Sequence, residues 1–507
     1  MSTKRGLVAS GVPLDASPST AAGSLGSGRF VTACAALGAV LVVLYLWLAH
    51  REYFFGDDLY FLRKAQMPRD WGEVFVSFKP RGWWSYRPLS IEVYFSTLYA
   101  VAGLNPFPYL VTSLIAHFAA GYLVYRLALQ LGIARSVALA VALLKVALFP
   151  SLNGELFWIS AFQTVLGSFF YLLTVSLFID YLTQGRRIFQ VAASVAMVLT
   201  LLSNELGMTL PGPLVLLAIY FGSGDLRARV LGALRAALPM IVILGLYLPF
   251  RYVLIIASFL PTPGLNRPHL GWHIPWNVLN FLRILAKRSG ELQLLLLLTV
   301  ATGWAAAARM GDGALGLLAR RLLLVFGWML CAMVPFLGAY FLHHRAAIVL
   351  EGPFCLLLAI HLDPIVRAAG TLRRGGLVEV AMIVLLLVAF PYQAVGEQLR
   401  MPRGQVNRDL LALLAAEPNG VPEGACVRIQ PRPEDTWTSS DLFALRFATS
   451  GLFASHYPKR TLEVPPEPGT PPPAPAFRPK CSTVIDVELL HGVPAMQATF
   501  ELRRKAS

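Results

Sequence analysis

Apolar residues run in long blocks along most of this chain. The stretch 31–48 carries no charge, and the stretches 110–131, 157–182, 236–257 and 377–395 carry a charge or two, mostly toward their ends. A helix of about 20 apolar residues is long enough to cross a bilayer. The pattern predicts about eleven membrane spans, beginning near residues 30, 106, 136, 156, 188, 205, 232, 290, 322, 346 and 377. Spans three to six are short, and Pro150 and Pro211 interrupt them. Irregular backbone at membrane depth lines cavities. Residues 6–28 are rich in Ser, Gly, Ala and Pro and read as a disordered cytoplasmic tail ahead of an uncleaved signal anchor.

The polar residues between the blocks set the orientation. With the N-terminus inside, the inner loops hold Arg126 and Arg135, then Arg186 and Arg187, then Arg227, Arg229 and Arg235. Arg309, Arg320 and Arg321 follow, and then Arg367, Arg373 and Arg374. The outer turns near Asn153 and Asn204 have no Lys or Arg, as the positive-inside rule requires. Two longer outer loops, about 50–105 and 258–289, break the rule with their own Arg and Lys. Either long loops translocate whatever their charge, or these cations hold an anionic lipid phosphate.

An odd number of spans leaves residues 400–507 outside, as a small α/β domain with a proline-rich loop. The alternating stretches 425–429 and 483–487 read as strands, with Cys426 and Cys481 beside them and able to pair. The expected organisation is a tail over 1–29, a membrane domain over 30–399 and this extracytoplasmic domain.

Composition agrees. Of the 507 residues, 56% are hydrophobic and only 14% charged, against about 25% charged in soluble domains. The net charge of +15 comes from arginines that flank apolar blocks, so it anchors the chain to anionic lipid and does not indicate nucleic acid.

Chemistry-bearing residues gather on the outer side. Asp57 and Asp58 follow the first span among aromatic residues. A carboxylate there can take a proton from an incoming hydroxyl or amine, and its neighbour can orient it, raise its pKa or help hold a divalent cation. Arg87 precedes Pro88 at the start of a surface helix over about 89–101, where a helix N-terminus and a guanidinium can face a phosphate. Glu155, Asn204–Glu205 and His343–His344–Arg345 recur at outer span ends. Ionisable groups near hydrocarbon are costly and by default mark function. Lys145, inside span three, can pair with Glu155 or Glu205 or snorkel. His343 and His344 are adjacent, so on a helix they point about 100° apart and make poor joint metal ligands.

The order of these segments resembles the GT-C superfamily of membrane glycosyltransferases, and is especially similar to the protein O-mannosyltransferase group and bacterial relatives. The likeness lies in Gly56-Asp57-Asp58, Arg87-Pro88-Leu89-Ser90 and Leu104-Asn105-Pro106 with Tyr109 and His117. It continues in Pro150 with Glu155, Trp158 and Ile159, in Asn204-Glu205-Leu206-Gly207 with Pro211, in Tyr247 with Arg251, and in Arg345. Asn204 stands where relatives have Lys, and no tetratricopeptide array follows. The resemblance implies an all-α polytopic fold and inverting transfer of a mannose-type or other sugar from a polyprenyl-phosphate donor to a protein, lipid or glycan acceptor. Asp57 or Asp58 would be the base. Arg87, Arg251 and Arg345 would grip the donor phosphate, with Glu155, Trp158, Asn204, Glu205, His343 and His344 supporting. It implies a bacterial inner or plasma membrane location, with the site outside. No cofactor is assigned, and a divalent cation is compatible with the paired carboxylates. Competing classes are a flippase of lipid-linked glycans, an O-antigen ligase or polymerase, and a non-catalytic scaffold. A flippase predicts internal repeats and midplane charges, and no repeat is present.

Overall fold

In the computed structural model the described residues are 28–55, 57–65, 87–148, 156–251, 290–337, 348–371, 381–382, 384, 395, 405–416, 421–423, 425–431, 461–463, 484–490 and 501–504. The apolar blocks form helices: α1 (Gly28–Arg51), α4 (Pro106–Gln130), α5 (Arg135–Ala147), α6 (Phe162–Gln184), α7 (Arg187–Ser203), α8 (Pro211–Phe221), α9 (Leu226–Arg251), α10 (Gly290–Met310), α11 (Asp312–Leu337) and α12 (Ile348–Thr371). Two short helices, α2 (Asp57–Ala65) and α3 (Tyr94–Ala102), lie between α1 and α4. Among the described residues, six helices are long and apolar enough to cross a membrane, while α7 and α8 are apolar but shorter. The chain is a multi-pass membrane protein. The segments expected to begin near 30 through 346 fall on helices, and the segment near 377 falls almost entirely outside the described residues.

Helix placement follows composition. The hydrophobic window of α12 is 89% buried, whereas those of α1 and α9 are 22% buried. The first is central and the other two present Val43, Trp47 and Leu246 outward, as lipid-facing helices do. Close approach needs small residues, because lipid tails leave packing as the main driving force. A Cβ on Gly303 of α10 would fall 2.6 Å from the His361 carbonyl oxygen of α12, so only glycine fits that crossing. The turn before α4 explains the Leu-Asn-Pro motif. Asn105 caps the helix by accepting from the Phe107 amide at 3.1 Å, and Pro106 takes the first position, where no amide donor is needed.

The two ends of the bundle differ. At one end, Asp363 accepts from Arg321, from Arg367 and from the Ala134 amide that begins α5. Arg321 and Arg367 also donate to the Gly132 carbonyl, which locks α11, α12 and the α4–α5 turn together. Arg126 pairs with Asp180 nearby in sequence to these turns. The opposite end, which bears Arg51, Ala147, Ser203 and Arg251, carries the acidic loop and an aromatic core. There Tyr94 stacks on Phe162 at 3.9 Å and donates to the Tyr109 carbonyl, while Phe54 packs edge-on against Tyr109.

Lys145 departs from the expected pairing with Glu155 or Glu205. Its Nζ lies 2.6 Å from Glu351 of α12, and both side chains are buried. The reason is packing: α5 lies against α12, and Glu205 is already held by other cations.

After the bundle come α13 (Gln405–Ala415) and four strands, β1 (Cys426–Pro431), β2 (Thr461–Glu463), β3 (Val484–Leu490) and β4 (Glu501–Arg504). The sheet order is β2-β1-β3-β4, with β1 parallel to β2 and β3, and β4 antiparallel to β3. Cys426 is in a disulfide, and Cys34, Cys331 and Cys355 keep their thiols. Cys481, its expected partner, lies outside the described residues.

Candidate active site

The acidic loop begins where α1 ends. Asp57 and Asp58 open α2, where negative charge is favoured by the helix dipole. Their environments differ. Asp57 is half-buried, while Asp58 is 1% exposed. Asp58 accepts from the Ser160 hydroxyl, from the Ser160 amide at 2.6 Å and from the Phe55 amide at 2.9 Å. Burial pushes its carboxyl up to about 7, against the pull of these hydrogen bonds and with a further push from Asp57. Trp158 stands beside this point, edge-on to Phe55 at 6.2 Å.

Ser160 sits in the 3-10 turn Ile159–Ala161 that leads into α6. Three residues on, Gln163 accepts from the Arg87 guanidinium. Arg87 precedes a π turn, Leu89–Val93, and Ser90 in that turn donates to the Ser203 carbonyl at the end of α7 at 2.7 Å. Such single π turns recur at functional sites. The expected helix over 89–101 is therefore wound in two parts.

The centre of the site is Glu205. Arg87 Nε donates to one carboxylate oxygen at 2.7 Å, and Arg251 donates to the other at 2.8 Å. Arg251 also donates to the Tyr247 hydroxyl at 3.1 Å, which accounts for their four-residue spacing. Burial alone would push the Glu205 carboxyl up, but Arg87 and Arg251 outweigh it and hold it at about 2. Two guanidinium groups and one carboxylate leave a net charge of +1 at a site where the side chains keep 15–23% exposure. Asn204 is buried and accepts from the Leu206 amide, capping the turn that presents Glu205. A Cβ on Gly167 would meet the Asn204 Cβ at 2.7 Å, so α6 approaches this turn closely only because residue 167 is glycine.

The structure thus brings together Asp57, Asp58, Trp158, Arg87, Asn204, Glu205 and Arg251. Glu155, His343, His344 and Arg345 lie outside the described residues. Among the described residues no group of three His, Cys, Asp or Glu side chains is placed to hold a metal ion. His117 is in the core, with Nε2 2.9 Å from the Val146 carbonyl.

No protein-family model matches the chain, and no curated protein matches it by sequence. Among solved structures, ArnT from Cupriavidus metallidurans in the apo state, a GT-C glycosyltransferase, superposes with a TM-score of 0.50. The match covers 90% of this chain and 92% of that one at 14% identity. The chain has the GT-C fold. ArnT bound to undecaprenyl phosphate gives a TM-score of 0.48 at 14% identity over the same shares of both chains. An Archaeoglobus fulgidus oligosaccharyltransferase in complex with zinc and sulfate gives 0.44 at 13% identity, covering 79% of this chain and 60% of that one.

Within the GT-C fold, two members of the network escaped the sequence reading. Gln163 and Ser160 lie inside the apolar stretch 157–182, where a polar side chain is itself a signal. Nothing in the spacing joined them to Arg87 or Asp58, because those contacts span 76 and 102 residues.

Proposed function

We propose that this chain is a membrane glycosyltransferase. It moves a sugar from a polyprenyl-phosphate carrier to a hydroxyl or amine of a protein, lipid or glycan. The observation that carries this reading is the convergence of Arg87 and Arg251 on Glu205, linked through Gln163 and Ser160 to the Asp57–Asp58 loop.

The charge arithmetic fits the chemistry. A polyprenyl-phosphate sugar is a phosphodiester with one negative charge. When the bond from the anomeric carbon to the phosphate oxygen breaks, its electron pair stays on the phosphate, which approaches a charge of −2. A fixed net cation beside it is favoured more in the transition state than in the ground state, and that difference accelerates the step. Glu205 keeps both guanidinium groups oriented before the lipid arrives. Arg345 would add a third cation.

Asp57 is the base. It is half-buried at the helix start, so it can receive the acceptor proton as the acceptor oxygen or nitrogen bonds to the anomeric carbon. One displacement inverts that carbon. Asp58, held by three hydrogen bonds, fixes the loop. The Cys426 disulfide supports an oxidising compartment for the C-terminal domain, and hence a site on the outer face of a bacterial inner or plasma membrane.

The test uses proteoliposomes with a panel of polyprenyl-phosphate sugars and a membrane extract as acceptor. Wild type releases free polyprenyl phosphate. Asp57→Asn inserts normally and loses about 10²–10⁴-fold in turnover, the usual size of general-base catalysis. Full activity in Asp57→Asn/Asp58→Asn overturns the base assignment. Movement of lipid-linked glycan between leaflets without release would make the protein a flippase.

A further inference from the structure

The C-terminal domain touches the acidic loop. Asn407, on the first turn of α13, is fully buried, and its Nδ2 donates to the Phe54 carbonyl at 2.8 Å. The next amide along, that of Phe55, donates to Asp58. The Phe54 carbonyl and the Phe55 N–H belong to one peptide unit. That rigid plane is therefore held on one side by Asn407 and on the other by Asp58. The Asn407 Oδ1 takes no hydrogen bond among the described residues, so the residue acts here as a donor.

Arg408 adds a second hold. It donates to the Arg51 carbonyl at 2.6 Å and to the Glu52 carbonyl at 3.0 Å. These lie at the C-terminus of α1, where carbonyls lack helical partners and a cation is favoured. The guanidinium also lies over the Tyr53 ring, 5.9 Å from its centroid. Leu410 and Leu414, one turn apart, are buried, and Leu411 packs on the aromatic core. Helix α13 thus grips residues 51–54, and among the described residues no hydrogen bond or ion pair joins it to Arg87, Glu205 or Arg251.

We propose that Asn407, with Arg408, is a positioning residue of the C-terminal domain that sets the geometry of the Asp57–Asp58 loop. The proposal rests on the glycosyltransferase reading for its consequence in turnover, but not for its structural content. Removing the Asn407 donor leaves the Phe54 carbonyl buried without its partner. The peptide plane is then free to rotate, the Phe55 amide leaves Asp58, and the start of α2 with Asp57 shifts. The phosphate-gripping arginines stand on other elements and keep their places.

The experiment compares full-length wild type with Asn407→Ala and with Asn407→Asp, which keeps the volume but offers a carboxylate in place of the donor. Two readouts are taken. Hydrogen exchange, followed by mass spectrometry in detergent, should accelerate at least tenfold in peptides covering residues 52–58 and stay unchanged in peptides covering 200–210. In the lipid-donor assay, kcat should fall at least tenfold while KM for the donor stays within twofold. Unchanged exchange at 52–58 in both variants overturns the positioning role, whatever the assay gives. Faster exchange with wild-type kcat overturns its link to chemistry. Faster exchange everywhere, with KM rising in step, makes Asn407 a general stability residue and also overturns the proposal. If wild type releases no polyprenyl phosphate from any donor, the glycosyltransferase reading fails while exchange alone judges the clasp.

Discussion

Asp57 and Asp58 are neighbours in sequence, but Asp57 is half-buried and Asp58 fully buried. Asp58 is buried with a carboxyl near 7, above the ordinary Asp value of about 3.9. A carboxyl whose pKa is raised by folding stabilises the protein fully below the ordinary value. That contribution is lost as pH rises through about 7. Asp58→Asn cannot ionise and lacks this dependence. Its melting temperature in detergent should lie below wild type at pH 4, where hydrogen bonds to Ser160 and Phe55 are already weakened by the amide, and the gap should narrow toward pH 8. A gap that is constant or widens would remove the buried ionisable Asp58 from the account. The motif Asp57-Asp58 was legible in sequence as a place for chemistry. That Asp58 is the buried, anchored one was not, because the three donors to Asp58 come from Phe55 and from Ser160, 102 residues away.

At the scale of elements, Lys145 and Glu351 pin α5 to α12 inside the bundle. Breaking one partner of a buried ion pair costs about 3–5 kcal/mol, whereas replacing both with apolar groups of similar volume costs far less. Lys145→Met should therefore lower the melting temperature more than Lys145→Met/Glu351→Leu does. A double-variant loss equal to the sum of those of Lys145→Met and Glu351→Leu alone would show that the two side chains are not coupled. The helices themselves were readable from apolar blocks, and Asn105-Pro106 and Tyr247 with Arg251 were readable as local motifs with a local cause. The partner of Lys145 was not, since hydropathy gives each helix its depth but no rotation, and 206 residues separate the pair. Glu205 shows the same limit. Its position at a span end marked it, yet its role as the bridge between Arg87 and Arg251 needs α3, α7 and α9 in their places.

For the whole molecule, the proposed orientation puts the Cys426 disulfide on the outer face. Sealed cells should take up no membrane-impermeant maleimide at Cys426 before reduction and should label it after mild reduction. Labelling only after the membrane is opened would reverse the orientation. Strands over 425–429 and 483–487 were visible as alternation, and β1 and β3 lie there. The parallel pairing of β1 with β3 was not visible, because 52 residues separate the end of one from the start of the other and no local turn sets the register. Nor did anything in the polar stretch after the bundle mark Asn407 as a neighbour of Phe54.

That last contact has a consequence for biosynthesis. Phe54 and Asn407 are 353 residues apart, and a ribosome adding about 5–20 residues per second needs roughly 20–70 s to make the interval. The acidic loop is therefore made and inserted long before the helix that clasps it. On the proposed function, a nascent chain would carry Asp57 and Asp58 but would lack the contact that positions their loop. If the proposed activity holds, α13 thus acts as a completion check, and chains truncated before residue 405 should be inserted yet idle.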